Sequence, residues 1–158
     1  MPTQPEMTID LDTVYRVTIG TDRGDIVMDL DPKLAPSTVN NFVSLARQGY
    51  YDDLTFHRVE PGFVIQGGCP EGTGRGGPGY QFADEPVQGE YLPGTVAMAN
   101  AGPDTNGSQF FICLSDLRNG LGKQYNLFGQ VTSGMDAVQA VQRGDRFRSV
   151  TVEEIPPS

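Results

Sequence analysis

One histidine, two cysteines and no tryptophan occur in 158 residues, and the scarce residue types close off whole classes of chemistry. His57 is the only imidazole, so no metal site is expected: a histidine-based centre lacks ligands, and Cys69 and Cys113 show no C-x-x-C spacing. Two widely separated cysteines make no disulfide framework, and reduced thiols are expected. No apolar run approaches the ~18 residues of a membrane span, and Met1 to Asp12 lacks the basic start and apolar centre of an export signal. The expectation is a soluble, cytoplasmic protein with no membrane partner. Basic residues are outnumbered as well, 11 Lys and Arg against 20 Asp and Glu, for a net charge of -9. Such a surface repels phosphate backbones, so no nucleic-acid partner is expected.

Short apolar runs broken by Gly, Pro, Asn and Asp make up the rest. A chain of this length buries roughly two-thirds of its unfolded surface, enough for one core in a single domain over residues 1–158. Val14 to Thr18 and Ile26 to Leu30 alternate apolar and polar residues around Thr21 to Asp25, which predicts a hairpin with one buried face. Pro36 precedes Val39, Phe42, Val43 and Ala46 at helical spacing, with Gly49 as the C-cap. Further strands are predicted at Thr55 to Val59, Phe63 to Gln66, Thr95 to Ala99, Gln109 to Leu114, Leu127 to Val131 and Val150 to Glu154. A second helix follows Ser133, whose hydroxyl is placed to cap the amide of Asp136, with Met135, Val138 and Val141 on one face. Many short strands with such turns indicate a mostly β protein, a closed barrel or sandwich, and two helices with about eight strands suit a barrel capped at both ends. Prolines at positions 2, 5, 156 and 157 mark loose termini.

Several motifs invite a functional reading and meet an ordinary one. Gly72-Thr73-Gly74-Arg75-Gly76-Gly77 satisfies G-x-G-x-x-G, but Pro70 precedes it and Pro78 follows, so the strand and helix of a dinucleotide site are missing and a surface loop is expected. Asn106-Gly107-Ser108 is a glycosylation sequon that reads better as a turn. A hydrolase pairing His57 with Cys113, Cys69 or Ser108 has the minimum parts for acyl transfer, yet no nucleophile elbow is present. Arg58 is more informative. An arginine on a strand ordinarily pairs with a nearby carboxylate such as Glu60 or Asp53. Here Arg58, Gln66, Asn100 and Gln109 lie in β-rich runs beside Phe63, Phe110 and Phe111. Such polar groups would be costly in a core and belong on a ligand-binding outer face. Arginine offers five N–H donors and is no base, so the site suits gripping a neutral acceptor.

Ala35 to Phe42, Phe56-His57-Arg58-Val59, Gly62 to Gly68, Gly72-Thr73-Gly74, Met98 to Ile112 and Phe128-Gly129 together resemble the cyclophilins, a family of peptidyl-prolyl cis-trans isomerases, over roughly Val14 to Glu154. The resemblance implies a closed eight-stranded antiparallel barrel capped by two helices, needing no cofactor. Proline-containing peptides and unfolded protein clients are the implied partners of a monomer. By resemblance Arg58 is the catalytic arginine, with His57 and Gln66 bordering and orienting it. Phe63, Val64, Phe111 and Leu121 form the proline pocket, and Tyr125 falls where a histidine often sits. Ala99, Asn100, Ala101 and Gln109 take the peptide backbone, Asn100 through its main chain, with Gly74 at the far rim. Gly120 falls where tryptophan often precedes the pocket leucine, so cyclosporin-type ligands are expected to bind weakly. Cys69 follows Gly67-Gly68 where prokaryotic members commonly carry aspartate.

Overall fold

The computed structural model describes residues 3–156 and resolves their chain order as β1 (Val14–Thr21), β2 (Gly24–Leu30), α1 (Pro36–Arg47), β3 (Arg58–Glu60), β4 (Val64–Gly67), β5 (Thr95–Met98), β6 (Phe110–Cys113), β7 (Leu127–Ser133), α2 (Met135–Ala140) and β8 (Ser149–Ile155). All eight strands join one antiparallel sheet in the order β3-β4-β6-β5-β7-β2-β1-β8. Among the described residues no ladder joins β3 to β8, so the closed barrel expected from the resemblance is not seen as continuous strand pairing. Instead the segments leading into those end strands meet: Phe147 N–H donates to Leu54 O (2.8 Å) and Phe56 N–H to Asp145 O (2.9 Å), beside a Thr55–Arg146 bridge.

Alternation along each strand separates two apolar populations, because successive side chains point to opposite faces. Val59, Ile65, Val96, Met98, Phe110 and Ile112 join the main core with Val17, Ile19, Met28 and Leu30. Val64, Ala97, Phe111 and Cys113, one position out of phase, join a second cluster on the other face. Phe42 of α1 enters the main core against Tyr51 (ring centroids 4.6 Å apart), Phe110 (5.3 Å) and Phe128 (5.9 Å). Val39, Val43 and Ala46 are buried with it, as the helical spacing requires.

The helix termini differ from expectation. Gln48 is the C-cap of α1, and Gly49 stands one residue beyond it at φ 76°, the left-handed conformation that Gly reaches without strain. At its N-terminus Ala35 supplies no side-chain cap. Glu85, from the long loop between β4 and β5, accepts from Ser37 N (3.0 Å), Thr38 N (2.8 Å) and Thr38 Oγ1 (2.6 Å). Its negative charge also complements the helix dipole. Ser133 does not cap α2: it ends β7, and Gly134 at φ 89° is the N-cap, with no side-chain hydrogen bond. A Cβ at Gly134 would collide with the Asp25 carbonyl, so the approach of β2 requires glycine there.

The predicted strand Thr55 to Val59 begins only at Arg58, and β4 begins at Val64 because Phe63 closes the turn, its N–H donating to Glu60 O (3.0 Å). Pro2 and Pro157 lie outside the described residues. The segment after Pro2 is tied down rather than loose. Asn40 of α1 donates to Pro5 O (3.4 Å) and Glu6 O (3.0 Å) and accepts from Thr8 N (3.0 Å), while Ile9 and Thr13 are buried.

Candidate active site

Ladder register builds a row of side chains across four strands. Arg58 of β3 lies opposite Gln66 of β4, Gln66 opposite Phe111 of β6, and Phe111 opposite Ala97 of β5. The residues of one such row share a face, so an arginine, an amide and an aromatic ring stand side by side outside the main core. The turn Pro61-Gly62-Phe63 then folds the Phe63 ring back beneath the guanidinium, with Arg58 Cζ 5.8 Å from the ring centroid.

Hydrogen bonds continue the row on both sides. Arg58 donates from Nη1 to Gln66 Oε1 (3.2 Å), and from Nε (3.1 Å) and Nη2 (3.0 Å) to Glu60 Oε1. Gln66 Nε2 donates to Gln109 Oε1 (3.1 Å), and Gln109 Nε2 donates to Gly74 O (2.9 Å) and Gly76 O (3.0 Å). The Gly-rich segment, read as a surface loop, is thus tethered through two amides to the arginine. Of the two carboxylates considered for Arg58, Glu60 holds it.

Phe63, Leu121, Tyr125 and Ala99 pack on the second apolar cluster with Val64 and Phe111. This gathers every residue that the resemblance assigned to the pocket. Phe111 is 4% exposed, its ring 5.4 Å from that of Tyr125 in an edge contact and 6.5 Å from that of Tyr91. Beside the cluster runs a groove of about 830 Å³ whose lining includes Gln66, Gly74, Ala99, Asn100, Ala101 and Gln109. Asn100 commits its side chain locally, donating from Nδ2 to Gln124 O (2.8 Å) and accepting from Gly102 N (3.2 Å). Ala101 N–H is taken by Thr105 Oγ1 (2.8 Å).

His57 departs from expectation. It makes no hydrogen bond to Arg58, whose side-chain partners are Glu60 and Gln66, and its Nδ1 is buried with no partner among the described residues. Its pKa is lowered, first by burial and then by the positive charges of Arg58 and Arg143. The loop at Gly74 passes directly over its other nitrogen.

Among the described residues no nucleophile is paired with this imidazole. Ser108 is buried, donating from Oγ to Gly68 O (2.7 Å) with Tyr50 Oη 3.0 Å away, and Cys113 is buried with its thiol pushed up to about 12 by desolvation. Burial alone would raise the Cys69 thiol too, but backbone N–H groups of Gly76, Thr73, Glu71 and Gly74 outweigh it and the pKa is lowered. Cys69 is nonetheless buried, unpaired and without a hydrogen bond to His57. Asn106 is 0% exposed, donates to Phe82 O (3.0 Å) and Asp84 Oδ1 (2.8 Å) and forms an isolated antiparallel bridge with Phe82 in place of the expected turn, and its buried amide is not placed to accept a glycan. Among the described residues no group of three or more His, Cys, Asp or Glu side chains could hold a metal, and no helix is long and apolar enough to cross a membrane.

Sequence reasoning missed the supports of the pocket. Tyr91, Leu117 and Leu127 belong to the same buried cluster as Phe111. Tyr91 Oη donates to Tyr125 O (2.6 Å) and accepts from Tyr125 N (3.2 Å), fixing the loop that carries Tyr125. Burial pushes this phenol up to about 12. Its one sequence signal is an aromatic among Gly and Pro, which does not reveal its partner.

Residues 16–156 match the family model described as cyclophilin type peptidyl-prolyl cis-trans isomerase. A peptidyl-prolyl cis-trans isomerase of Helicobacter pylori is 46% identical over 142 residues, covering 87% of this chain and 86% of the relative. Peptidyl-prolyl cis-trans isomerase B of Bacillus subtilis is 48% identical over 134 residues, covering 84% and 93%. A crystal structure of a Cryptosporidium parvum cyclophilin type isomerase superposes with a TM-score of 0.82 at 33% identity, covering 90% of this chain and 99% of that one. The same protein in the presence of the dipeptide Ala-Pro gives a TM-score of 0.75.

Proposed function

This chain belongs to the cyclophilin-type peptidyl-prolyl cis-trans isomerase family and is an isomerase of that kind, and from that premise we propose how its outer-face row lowers the barrier to rotation. Rotation about an X–Pro bond breaks amide resonance and faces ~18–20 kcal/mol. Turnover near ~10³ s⁻¹ corresponds to a barrier of roughly 13 kcal/mol, so the site supplies about 5–7. As the bond twists, the prolyl nitrogen becomes pyramidal and regains a lone pair, to which Arg58 donates an N–H. The planar ground state offers no such acceptor, so the contact favours the transition state. Phe63, Val64, Phe111 and Leu121 hold the ring, with Tyr125 as a wall. Gln66 and the main chain at Asn100 grip the flanking carbonyls, while Ala99, Ala101, Gln109 and Gly74 shape the groove. The observation that carries this reading is the guanidinium fixed by Glu60 and Gln66 beside an apolar cluster separate from the core.

No proton moves and no cofactor takes part in this mechanism, and the histidine tests the first point. His57 holds its proton less readily than a free imidazole and the mechanism asks it for no proton transfer, so kcat/KM is expected to be flat between about pH 6 and 9. The unfolded imidazole binds its proton near pH 6.5 while the folded one resists it. Stability therefore falls as pH drops through that range, and His57→Gln should lessen the fall. Activity and Tm measured against pH for both proteins check this. An acid limb in the wild-type rate that vanishes, together with activity, in His57→Gln would make His57 an acid or base.

The clients we propose are unfolded or flexible segments containing X–Pro bonds, met by a monomer in the cytoplasm, and two buried unpaired cysteines fit a reducing compartment. We also take the barrel to close through the segments flanking β3 and β8, on the strength of their backbone bonds. Cyclosporin should bind weakly, because Gly120 is exposed and offers neither an indole donor nor an apolar plate. A buried ligand carbonyl left without its partner costs about 1–3 kcal/mol. A Cβ at Gly120 meets nothing within 4 Å, so Gly120→Trp should fold and tighten binding by calorimetry. Low-nanomolar inhibition of the wild type would show that another group replaces the indole.

A further inference from the structure

The Arg58 side chain is 44% exposed, and although its guanidinium lies over the Phe63 ring (Cζ 5.8 Å from the centroid), that face contact does not set the direction of its N–H groups. Gln66 holds one edge of the guanidinium, a single contact about which the group would still pivot. Glu60 takes the opposite edge, one carboxylate oxygen accepting from both Nε (3.1 Å) and Nη2 (3.0 Å). Two contacts on opposite edges fix the plane of a rigid fork, where one does not. Glu60 is itself held, since it shares a strand face with Arg58 and its carbonyl accepts the Phe63 N–H that closes the turn (3.0 Å). Three of the five guanidinium N–H groups are thereby occupied, leaving two for a substrate.

Resting on the arginine mechanism above, we propose that Glu60 is a positioning residue that aims the Arg58 guanidinium at the rotating prolyl bond. A carboxylate beside a catalytic cation also offsets its charge, and the nature of the acceptor decides which effect wins. What develops on the prolyl nitrogen is a neutral lone pair, not an anion, so donor direction matters more than net charge. Glu60 therefore raises turnover without touching the substrate.

The test uses the intact protein and an uncharged proline tetrapeptide. Glu60→Ala is expected to lower kcat about three- to fivefold at unchanged KM and Tm, the scale set by an exposed ion pair. Glu60→Gln, which keeps an oxygen acceptor without the charge, should recover part of the loss. Raising salt from about 0.05 to 0.5 M should move wild-type kcat toward the Glu60→Ala value and leave Glu60→Ala flat, because exposed pairs are screened. Arg58→Ala combined with Glu60→Ala should equal Arg58→Ala alone. Unchanged or higher kcat in Glu60→Ala, or a loss that persists when Arg58 is already absent, would overturn the positioning role and leave the arginine mechanism standing. Arg58→Ala at the wild-type rate would overturn both.

Discussion

Replacing Arg58 by alanine is expected to lower kcat/KM about 10²–10³-fold, the usual cost of roughly 3–4 kcal/mol for removing one donor aimed at a transition state. The fold should be intact, because the side chain is substantially exposed and its partners are an exposed carboxylate and an amide that Gln109 still holds. Arg58→Lys should recover little of the rate. A lysine ammonium is a point charge on a flexible stem and cannot hold Glu60 and Gln66 at opposite edges while presenting a further N–H in a fixed plane. A coupled proteolysis assay on a proline tetrapeptide reads the rate, and circular dichroism reads the fold. A folded Arg58→Ala protein with near wild-type turnover would remove the arginine from the mechanism.

Phe111→Ala should have the largest effect on stability among the pocket residues and a large effect on activity as well. The ring is almost wholly buried and packs against Tyr91 and Tyr125, so its removal leaves a cavity costing about 3–5 kcal/mol, a fall in Tm on the order of 10 °C. The second cluster is distinct from the main core, so the sheet should persist and activity stay measurable in the cold. With one wall of the proline pocket missing, kcat/KM should fall about tenfold or more, each methylene-sized gap being worth ~1–3 kcal/mol in an apolar pocket. Phe111→Leu, which keeps most of the volume, should recover most of the stability and part of the activity. Loss of stability with kcat/KM unaltered at low temperature would mean that Phe111 supports the sheet without contacting substrate.

Local periodicity carried much of this molecule in one dimension. Pro36, the apolar spacing from Val39 to Ala46 and Gly49 define α1 because a helix repeats every 3.6 residues whatever it packs against. Alternation placed Arg58, Gln66 and Phe111 in strands, and the cost of burying polar groups put them on an outer face before any contact was known. Scarcity was equally decisive: a single histidine leaves little room for acyl transfer or metal chemistry.

Other features depend on distance in sequence rather than on local pattern. Glu85 caps a helix 48 residues away from it, a bond that no Ser or Asp at the helix start announced, and Gly134 displaced Ser133 as the cap of α2 because β2 approaches too closely for a side chain. Tyr91 and Leu127 reach Phe111 only after the sheet has assembled. Glu60 stood in plain view as an ordinary ion-pair partner. Only the turn at Gly62 and the register of β3 on β4 set its carboxylate and Gln66 at opposite edges of one guanidinium. Residue types and their periods follow from local sterics and solvation, so they are legible in the chain itself. Which side chains converge on Arg58 follows from strand order and register, which are properties of the assembled sheet.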